Sequence, residues 1–291
     1  MKVTGFSFIK NAVKFDFPIK ESLLSILPLC DEIIVAVGEC NDGTRELVAN
    51  IHPTKIKIID TIWDEKLQSG GAVLADETNK AFQAIDEATD WCFYIQGDEV
   101  MHELDIESIK QAMLKYKDDK QVDGLLFKYY HFYGSYDYIG ASNKWYRNEI
   151  RIVKNNKTIY SYKDAQGFRK GNDEKLSVKE IDAYMYHYGW VKEPTTMMAK
   201  RKEGVKFWEG HKYTEEYDKT DLGAYDFSSI DALEKFKGTH PSVMKERIEK
   251  MNWKFDYDVS FNNYSLKDKF KNFLFALTRR RFFEYQNYKK I

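Results

Sequence analysis

The segment 91–100 limits the possible folds more than any other part of this chain. Five mostly apolar residues, Trp91 to Ile95, are typical of a buried strand, and they run into Gln96, Gly97, Asp98 and Glu99. Carboxylates at the carboxyl end of a central strand lie in the crevice where α/β sheets bind ligands, and divalent cations prefer oxygen ligands. The segment therefore predicts a metal and phosphate site. Taken alone, it leaves open an Asp-Glu turn that caps the next helix.

Composition narrows the class of protein. A chain of 291 residues with 43% hydrophobic residues can bury a substantial core, so we expect a globular protein. Lys and Arg number 45 against 46 Asp and Glu, which leaves no overall basic field to favour nucleic acid. The 3 cysteines favour a reduced, cytoplasmic setting. No apolar run approaches the roughly 18 residues that a membrane span needs, and no leader segment is expected.

Strands and helices alternate in the first part of the chain. Strands are predicted over 3–9, 32–37, 56–63 and from 91, and helices over 18–28, 45–51, 72–88 and 106–116. Four strands that alternate with helices predict an α/β fold with a mainly parallel, Rossmann-like sheet and right-handed crossovers.

The pattern changes after about residue 120. Strands are predicted over 124–133, 149–153 and 183–188, loops over 136–147 and 164–169, and helices over 194–208 and 241–251. No linker or repeat marks a boundary, so we predict one domain over 1–291. It comprises a nucleotide-sugar-binding half (1–120), an aromatic-rich acceptor-side half (121–263) and a basic C-terminal segment (264–291).

Four pieces of the N-terminal half, in order, resemble the family 2 glycosyltransferases of the GT-A fold, including those that build bacterial cell-surface polysaccharides. They are the first strand with Asn11 after it, the segment 31–45, Gly70-Gly71 with Asn79, and the strand that ends at 96–99, where the family has its Asp-x-Asp motif. Rival nucleotide binders are poorly supported, because the chain has neither a Gly-x-Gly-x-x-Gly after its first strand nor a Walker-type Gly-Lys-Ser/Thr.

The resemblance implies an inverting transfer of a sugar from a UDP- or GDP-sugar to a hydroxyl of a glycan or lipid-linked glycan, assisted by Mn²⁺ or Mg²⁺. It implies a metal site formed by Asp98, Glu99 and His187, and a catalytic base at Asp164. The donor-binding residues that it implies are Asn11, Glu39, Asp42, Gly71, Asn79, Gln96 and Asp98.

The sequence departs from the family at two positions. The second strand ends in Val37-Gly38-Glu39, where the family has acids that read the nucleotide base, and Gln96 stands in place of the first Asp of the motif. An amide is a poorer metal ligand than a carboxylate, so Asp98 becomes the main carboxylate candidate.

Structural roles remain open for several of these residues. His187 lies in a strand-like run and is equally explained as a core or surface histidine, and Asp164 as a solvated turn acid. The aromatic side chains of 129–146 are suited to packing against sugar rings, but packing in the core explains at least half of them.

The C-terminal segment is basic and contains interleaved apolar residues. Either it is an amphipathic element on a membrane surface, or it is a helix docked on its own domain with a solvated basic face. Its two acids are Asp268 and Glu284, and its eight basic residues are Lys267, Lys269, Lys271, Arg279, Arg280, Arg281, Lys289 and Lys290.

We therefore expect a metal-dependent glycosyltransferase in the cytoplasm, in peripheral contact with the membrane if the C-terminal segment binds lipid. Two alternatives stay open: a catalytically silent carbohydrate- or nucleotide-binding relative, and a nucleotidyltransferase. The latter would normally have a Gly-rich basic loop near the N-terminus, and residues 3–20 contain no such loop.

Overall fold

A computed structural model gives the structure of residues 1–64, 66–67, 69–210, 217, 219–278 and 286–291. Its main feature is one sheet of 11 strands, with a separate sheet of 3 strands beside it. Among these residues, no helix is both long and apolar enough to cross a membrane.

The first half is the predicted parallel α/β arrangement. Strands β1 (Val3–Ile9), β2 (Glu32–Gly38), β3 (Ile56–Thr61) and β4 (Trp91–Tyr94) lie in the order β3-β2-β1-β4, and every neighbouring pair is parallel. The residues of β1, β2 and β4 are almost all buried, as expected for strands covered on both faces, whereas β3 lies at the edge of the sheet and only its Ile56 is buried. The carboxyl ends of the four strands thus meet at one edge of the sheet, which is where ligands bind in such folds.

In the described part of the chain, three helices connect these four strands, and a fourth leads into the second half. They are α1 (Ile19–Ile26), α2 (Thr44–Ile51), α3 (Ala72–Gln83) and α4 (Ile106–Tyr116). The prediction that the third helix continues to residue 88 was wrong, because the chain leaves the helix after Gln83 and forms a turn over 86–89. Gly71 begins α3 with a φ of +74°, a conformation that favours glycine.

The acidic segment differs in detail from the predicted strand ending. Strand β4 ends at Tyr94, and Glu99 begins a second short strand, β5 (Glu99–Met101). Only residues 95–98 are therefore free of strand pairing, and the carboxylates of Asp98 and Glu99 occupy different surroundings.

The second half extends the same sheet with antiparallel and parallel strands. Its long strands are β6 (Gly124–Tyr133), β8 (Asn148–Lys154) and β12 (Ser177–Trp190). β8 lies between β4 and β6 and is antiparallel to both, whereas β12 runs parallel to β6 and antiparallel to β5. The same sheet therefore contains strands from both halves of the chain.

Short strands occupy two regions that the sequence predicted as loops. β7 (Tyr138–Gly140) pairs with β13 (Leu233–Lys235), and a hairpin is formed by β9 (Ile159–Tyr162) and β10 (Gly167–Lys170). The loop predictions for 136–147 and 164–169 were thus wrong in these stretches. β11 (Glu174–Lys175) completes the small sheet.

Helix α5 (Pro194–Trp208) follows β12, as predicted. The helix expected over 241–251 is a 3₁₀ turn, Ser242–Met244, followed by a short helix, Lys245–Glu249. Near the C-terminus the structure has a helix over Leu266–Thr278 and the strand β14 (Lys289–Lys290), which pairs with β12. Arg279, Arg280, Arg281 and Glu284 of the predicted basic segment lie outside the described residues.

Candidate active site

A cavity of about 530 Å³ opens at the carboxyl ends of β1 and β4. The segment 96–98 after β4 forms one part of its wall, and the loop after β1, with Asn11, forms another. Helix α5 and the end of β12 close it from the second half. Five of the residues predicted for the site line this one cavity, namely Asn11, Gln96, Asp98, Asp164 and His187.

Asp98 is the central charged group of this cavity. Its Oδ2 lies 3.3 Å from Lys200 Nζ and 3.8 Å from His187 Nε2, and its side chain keeps 14% of its exposure. Burial alone would raise the pKa of Asp98, but Lys200, His187 and Lys192 outweigh it and hold the pKa at about 2. Asp98 is therefore an anion at any physiological pH.

Gly189 leaves the space in which Asp98 and His187 face each other. A Cβ atom at this position would lie 2.6 Å from His187 Nε2 and 2.7 Å from Asp98 Oδ2. Any side chain here would displace both groups. Glycine at position 189 is therefore explained sterically, because it leaves room for two side chains of the site.

The hydrogen bonds of His187 determine which of its nitrogens carries the proton. His131 Nε2 lies 2.8 Å from the carbonyl oxygen of Tyr146, which can only accept, so His131 donates there and its Nδ1 is an acceptor. His187 Nδ1, 3.1 Å from His131 Nδ1, must then donate. Burial lowers the pKa of both histidines, which favours the neutral rings. His187 Nε2 consequently presents a lone pair beside Asp98.

Two lysines surround Asp98 on the side of α5. Lys200 Nζ also donates to the carbonyl oxygen of Gly189 at 3.0 Å, and Lys192 Nζ, fully buried, donates to that of Asp16 at 2.6 Å. Both side chains contact the ring of Phe17, whose centroid lies 4.6 Å from Lys192 Nζ and 4.7 Å from Lys200 Nζ. Burial holds the pKa of Lys192 well below its ordinary value. This corner of the cavity is suited to an anion.

Glu99, which the sequence placed among the metal ligands, is bound elsewhere. Arg151 donates to both of its carboxylate oxygens at 2.7 and 2.8 Å, and Tyr129 Oη donates to Oε1 at 2.7 Å. The backbone N–H of Gln96 donates to Oε2, and neither Glu99 nor Arg151 is exposed. Its oxygens are fully engaged in these hydrogen bonds, so Glu99 positions the chain here, and its role as a metal ligand stays a prediction.

Asp164 lies at the tip of the β9–β10 hairpin, in the wall of the cavity. The turn is supported from within the protein, since Arg151 Nη1 donates to the carbonyl oxygen of Gln166 at 2.9 Å. Gln96 Nε2 donates to the carbonyl oxygen of Ala165 at 3.3 Å. Lys163 and Ala165 have positive φ angles, which turns the chain sharply around Asp164.

Gly71 and Asn79 act on this hairpin and do not line the cavity. A Cβ atom at Gly71 would lie 2.8 Å from the Cβ of Asp164, so the glycine permits the hairpin to approach α3. Asn79 exchanges two hydrogen bonds with the backbone of Ser161, at 2.7 and 2.9 Å. Asn79 therefore holds the hairpin to α3, and its contact with a donor stays a prediction.

Asp42 has a similar supporting role. Its Oδ2 accepts from the backbone N–H of Lys14 at 2.8 Å, and its Oδ1 accepts from that of Thr44 at 3.1 Å. It therefore fixes the loop after β1, which brings Asn11 to the cavity. Its contribution to a donor site is through that loop.

Glu39 lies in a separate cavity of about 380 Å³ at the ends of β2 and β3. The same cavity is lined by Arg45 and Asp60, which form a two-pronged ion pair at 2.6 and 3.0 Å. Trp63 separates the two cavities, because it lines the larger one and packs against Gly38 of the smaller one. The two cavities are therefore neighbours.

Aromatic rings form much of the remaining wall. Trp63 packs edge-on against Phe207 at 5.1 Å between ring centroids, and Tyr146, Trp190 and Trp208 line the same cavity. Such rings present flat apolar faces, which suit either a base or the C–H face of a sugar. The predicted aromatic contribution from 129–146 reduces to Tyr146, because Tyr133, Tyr136 and Tyr138 lie in buried clusters.

The sequence did not single out Lys200, Lys192, His131 or Arg151. One signal was present: Lys200, Glu203, Gly204 and Phe207 recur at helical spacing, so they share one face of α5, and all four line the cavity. Nothing in the sequence indicates the other three, because each acts through a partner more than 15 residues away.

The groups around Asp98 fit a divalent cation only in part. Among the described residues, no three His, Cys, Asp or Glu side chains are close enough to hold a metal ion together. Asp98 and His187 Nε2 nevertheless present an anionic oxygen and a lone pair on the same space. Mg²⁺ commonly takes one or two protein ligands and completes its shell with substrate phosphates and water, so this pair fits such an ion once a donor is bound.

No protein-family model matches the sequence, and no curated protein does. Among solved structures, the chain is similar to TarS of S. aureus, at 16% identity over 70% of this chain and 39% of that one, with a TM-score of 0.40. In a shorter TarS structure the identity is 13%, the coverage 70% and 64%, and the TM-score 0.39. This chain thus spans less than two thirds of either TarS structure.

Two further similarities are to enzymes solved with nucleotides and Mn²⁺. One is glucosyl-3-phosphoglycerate synthase from Mycobacterium tuberculosis with UDP, at 13% identity, 45% and 43% coverage and a TM-score of 0.31. The other is a mannosyltransferase from Pyrobaculum calidifontis with GDP-Man, at 20% identity, 43% and 34% coverage and a TM-score of 0.32. The chain spans less than half of either of these two structures.

Proposed function

We propose that this protein is a glycosyltransferase that moves a sugar from a nucleoside diphosphate donor to a hydroxyl of a glycan or lipid-linked glycan. The observation that carries the proposal is the grouping of Asp98, His187 and Lys200 in a cavity walled by aromatic rings. Cationic and metal-ligating groups stabilise the charge of a departing diphosphate, and flat apolar rings pack against sugar and base.

The donor would bind with its diphosphate near Lys200 and its base toward the strand ends of β2 and β3. Lys200 lies on the cavity side of α5, and Trp63 stands between the main cavity and the one that contains Glu39. Binding of a phosphate near Lys200 would replace part of its contact with Asp98. The nucleotide base would then lie beside Trp63, between the two cavities.

Asp98 and His187 would hold Mn²⁺ or Mg²⁺, with donor phosphate oxygens as further ligands. The bound ion would neutralise charge on the departing diphosphate. Asp98 provides the anion that attracts it, and His131 keeps His187 Nε2 unprotonated through the hydrogen bond at Nδ1. Gly189 keeps the space between the two ligands open.

Asp164 would act as the general base. Its carboxylate takes the proton of the acceptor hydroxyl, the acceptor oxygen forms a bond to the anomeric carbon, and the bond from that carbon to the diphosphate breaks. The electron pair leaves with the diphosphate, next to the Lys200 ammonium. Attack from the face opposite to the leaving group inverts the anomeric centre.

Calorimetric titration with UDP and with GDP, each with and without Mn²⁺, tests the proposal. We expect one of them to bind in the presence of Mn²⁺, and Asp98→Asn to weaken that binding by about tenfold or more, because it removes the charge and keeps the shape. Asp118→Asn, an exposed acid outside the cavity, is the matched control.

Two results would contradict this proposal. If neither nucleotide binds, the cavity has another ligand. If Asp98→Asn binds as well as the parent protein, Asp98 is not in the donor site. Binding without hydrolysis or transfer of any donor sugar would instead identify a silent carbohydrate- or nucleotide-binding protein.

A further inference from the structure

The helix Leu266–Thr278 exposes a stripe of large apolar side chains. Leu266, Phe270, Phe273 and Leu277 are exposed by 86%, 57%, 63% and 72%. Their spacing of four, three and four residues places them within an arc of roughly 60° at about 100° per residue. We call these four residues the apolar stripe.

Lysines border the apolar stripe on both sides. At helical spacing, Lys267 lies on one side of it and Lys269 on the other, and both are exposed, whereas Lys271 lies farther round the helix and is half-buried. The helix has a single acid, Asp268, which accepts a hydrogen bond from Ser265 Oγ at 2.6 Å at the start of the helix. The outward face is thus apolar along its centre and positively charged at its edges.

The opposite side of the helix contacts the protein. Asn143 Nδ2 donates to Asn272 Oδ1 at 3.2 Å, and Asn272 lies across the helix from the apolar stripe. The stripe therefore points away from the body of the protein. The sequence left open the alternative that this helix packs on its own domain. Such packing explains the side of the helix that carries Asn272, but it does not explain why four large apolar side chains are exposed.

We propose that the apolar stripe and its lysines form a docking surface for a bilayer that contains anionic lipid. A helix with an apolar face and flanking basic residues lies in the plane of a membrane interface, with its apolar side chains among the acyl chains and its cations at the headgroups. The long lysine side chains can reach the phosphates while their stems cover apolar surface. This inference concerns location and does not depend on the sugar-transfer chemistry.

The contact at Asn143 also places the docking surface relative to the cavity. Asn143 belongs to the segment between β7 and β8, and Lys144 and Tyr146 of that segment line the cavity. A bilayer against the apolar stripe would therefore be separated from the wall that Lys144 and Tyr146 form by the width of this helix, about 10 Å. If the proposed function holds, this arrangement suits an acceptor attached to a membrane lipid.

Sedimentation of the full chain with vesicles tests the docking surface, without nucleotide or metal present. We expect binding to phosphatidylcholine vesicles that contain phosphatidylglycerol, weaker binding to phosphatidylcholine alone, and loss of the difference at high salt. Phe270→Ser with Phe273→Ser should reduce the vesicle partition coefficient by about tenfold or more. Replacing Lys267 and Lys269 by Gln should reduce it by about fivefold per lysine at low salt.

Matched control variants show whether vesicle binding depends on the docking surface or on exposed apolar and basic side chains anywhere on the protein. Ile62→Ser with Leu104→Ser removes two side chains exposed by 75% and 77% elsewhere, and should leave vesicle binding unchanged. Lys110, Lys115 and Lys120, all exposed, provide the control for charge. Thermal unfolding of each variant shows whether it is folded.

Three outcomes would overturn the docking surface. They are full-length protein that ignores anionic vesicles at low salt, control variants that lose binding as much as the stripe variants, and a dimer in solution that dissociates in Phe270→Ser with Phe273→Ser while vesicles are ignored. The last would assign the stripe to a second copy of this chain. None of them bears on nucleotide binding, so failure here and failure of the proposed function remain distinguishable.

Discussion

Asp98 and Glu99 are neighbours in the chain, but the groups around them differ in almost every respect. The Asp98 cluster, formed with His187 and Lys200, borders an open cavity and is held by contacts of 3.3 and 3.8 Å. The Glu99 cluster, formed with Arg151 and Tyr129, is sealed from solvent and held by hydrogen bonds of 2.7 to 2.8 Å. A carboxylate whose partners leave room for a ligand can serve binding, whereas one whose oxygens are all engaged can only serve the fold.

The sealed cluster also supports the open one. Arg151 holds the turn that carries Asp164, and Tyr129 stacks on His131, at 5.3 Å between ring centroids, which in turn bonds His187. The comparison therefore predicts that changes in the Glu99 cluster act first on stability, and that changes in the Asp98 cluster act first on binding.

The largest expected effect is that of Arg151→Leu. It leaves Glu99 as a buried carboxylate without its cation, which costs about 3–5 kcal/mol in the free energy of unfolding. Urea denaturation measures this loss, and Arg151→Lys, which keeps a charge but not the two-pronged geometry, should lie between. Arg45→Leu breaks an exposed pair with the same geometry and should have a much smaller effect. Equal losses in Arg151→Leu and Arg45→Leu would remove the distinction between the clusters.

Asp164→Asn should separate catalysis from binding in the open cluster. We expect sugar transfer to fall about a hundredfold, because the acceptor proton loses its base, while the affinity for UDP or GDP with Mn²⁺ stays the same. Single-turnover transfer and calorimetry measure the two quantities. Asp173→Asn, in the next turn of the small sheet, is the control. Unchanged transfer in Asp164→Asn would place the base elsewhere.

His131→Phe tests the link between the two clusters. Without an acceptor for its Nδ1–H, His187 is no longer held with its Nε2 lone pair toward Asp98, so Mn²⁺ affinity in the presence of nucleotide should fall about tenfold. His240→Phe removes a half-buried histidine that bonds Tyr188 Oη at 2.8 Å, and should reduce stability without this loss. Electron paramagnetic resonance of Mn²⁺ distinguishes the two. Equal Mn²⁺ affinity in His131→Phe and the parent would leave His131 a packing residue.

The last prediction concerns the pH dependence of stability. Burial raises the pKa of Glu149 to about 8, against the opposing effects of Arg151 and of the hydrogen bond from Asn287. The unfolded state loses this proton near the ordinary pKa, so the protein should lose stability as the pH rises from about 5 to about 8. Glu149→Gln cannot lose a proton and should show a flatter dependence over that range. Urea denaturation at several pH values compares the slopes, and parallel curves would show that Glu149 is ionised in the fold.

The sequence predicted most of the elements that position the site. The parallel half, the strands of 124–133 and 149–153, and the helix of 194–208 were all recognisable from periodicity, because apolar spacing reflects local geometry and burial. The sequence also led to the prediction that Asp98, His187 and Asp164 belong to one site, and these three residues line one cavity. Two short strands in the predicted loops were missed. Strand β7 is stabilised by pairing with the distant β13, which local patterns do not encode, whereas β10 pairs with its neighbour β9 in a hairpin whose strand was taken for part of the turn.

By itself, then, the sequence determined the alternation of strands and helices, and it placed two adjacent acids after the fourth strand. Only the tertiary structure decided which acid faces a cavity, because that depends on β5 pairing with β12 and on Arg151 approaching from β8. The pairing of β6 with β12 sets His131 opposite His187, and the return of α5 brings Lys200 to Asp98. These partners lie 52 to 102 residues apart in the chain. Local periodicity cannot specify such contacts, since they follow from the order and register of the strands.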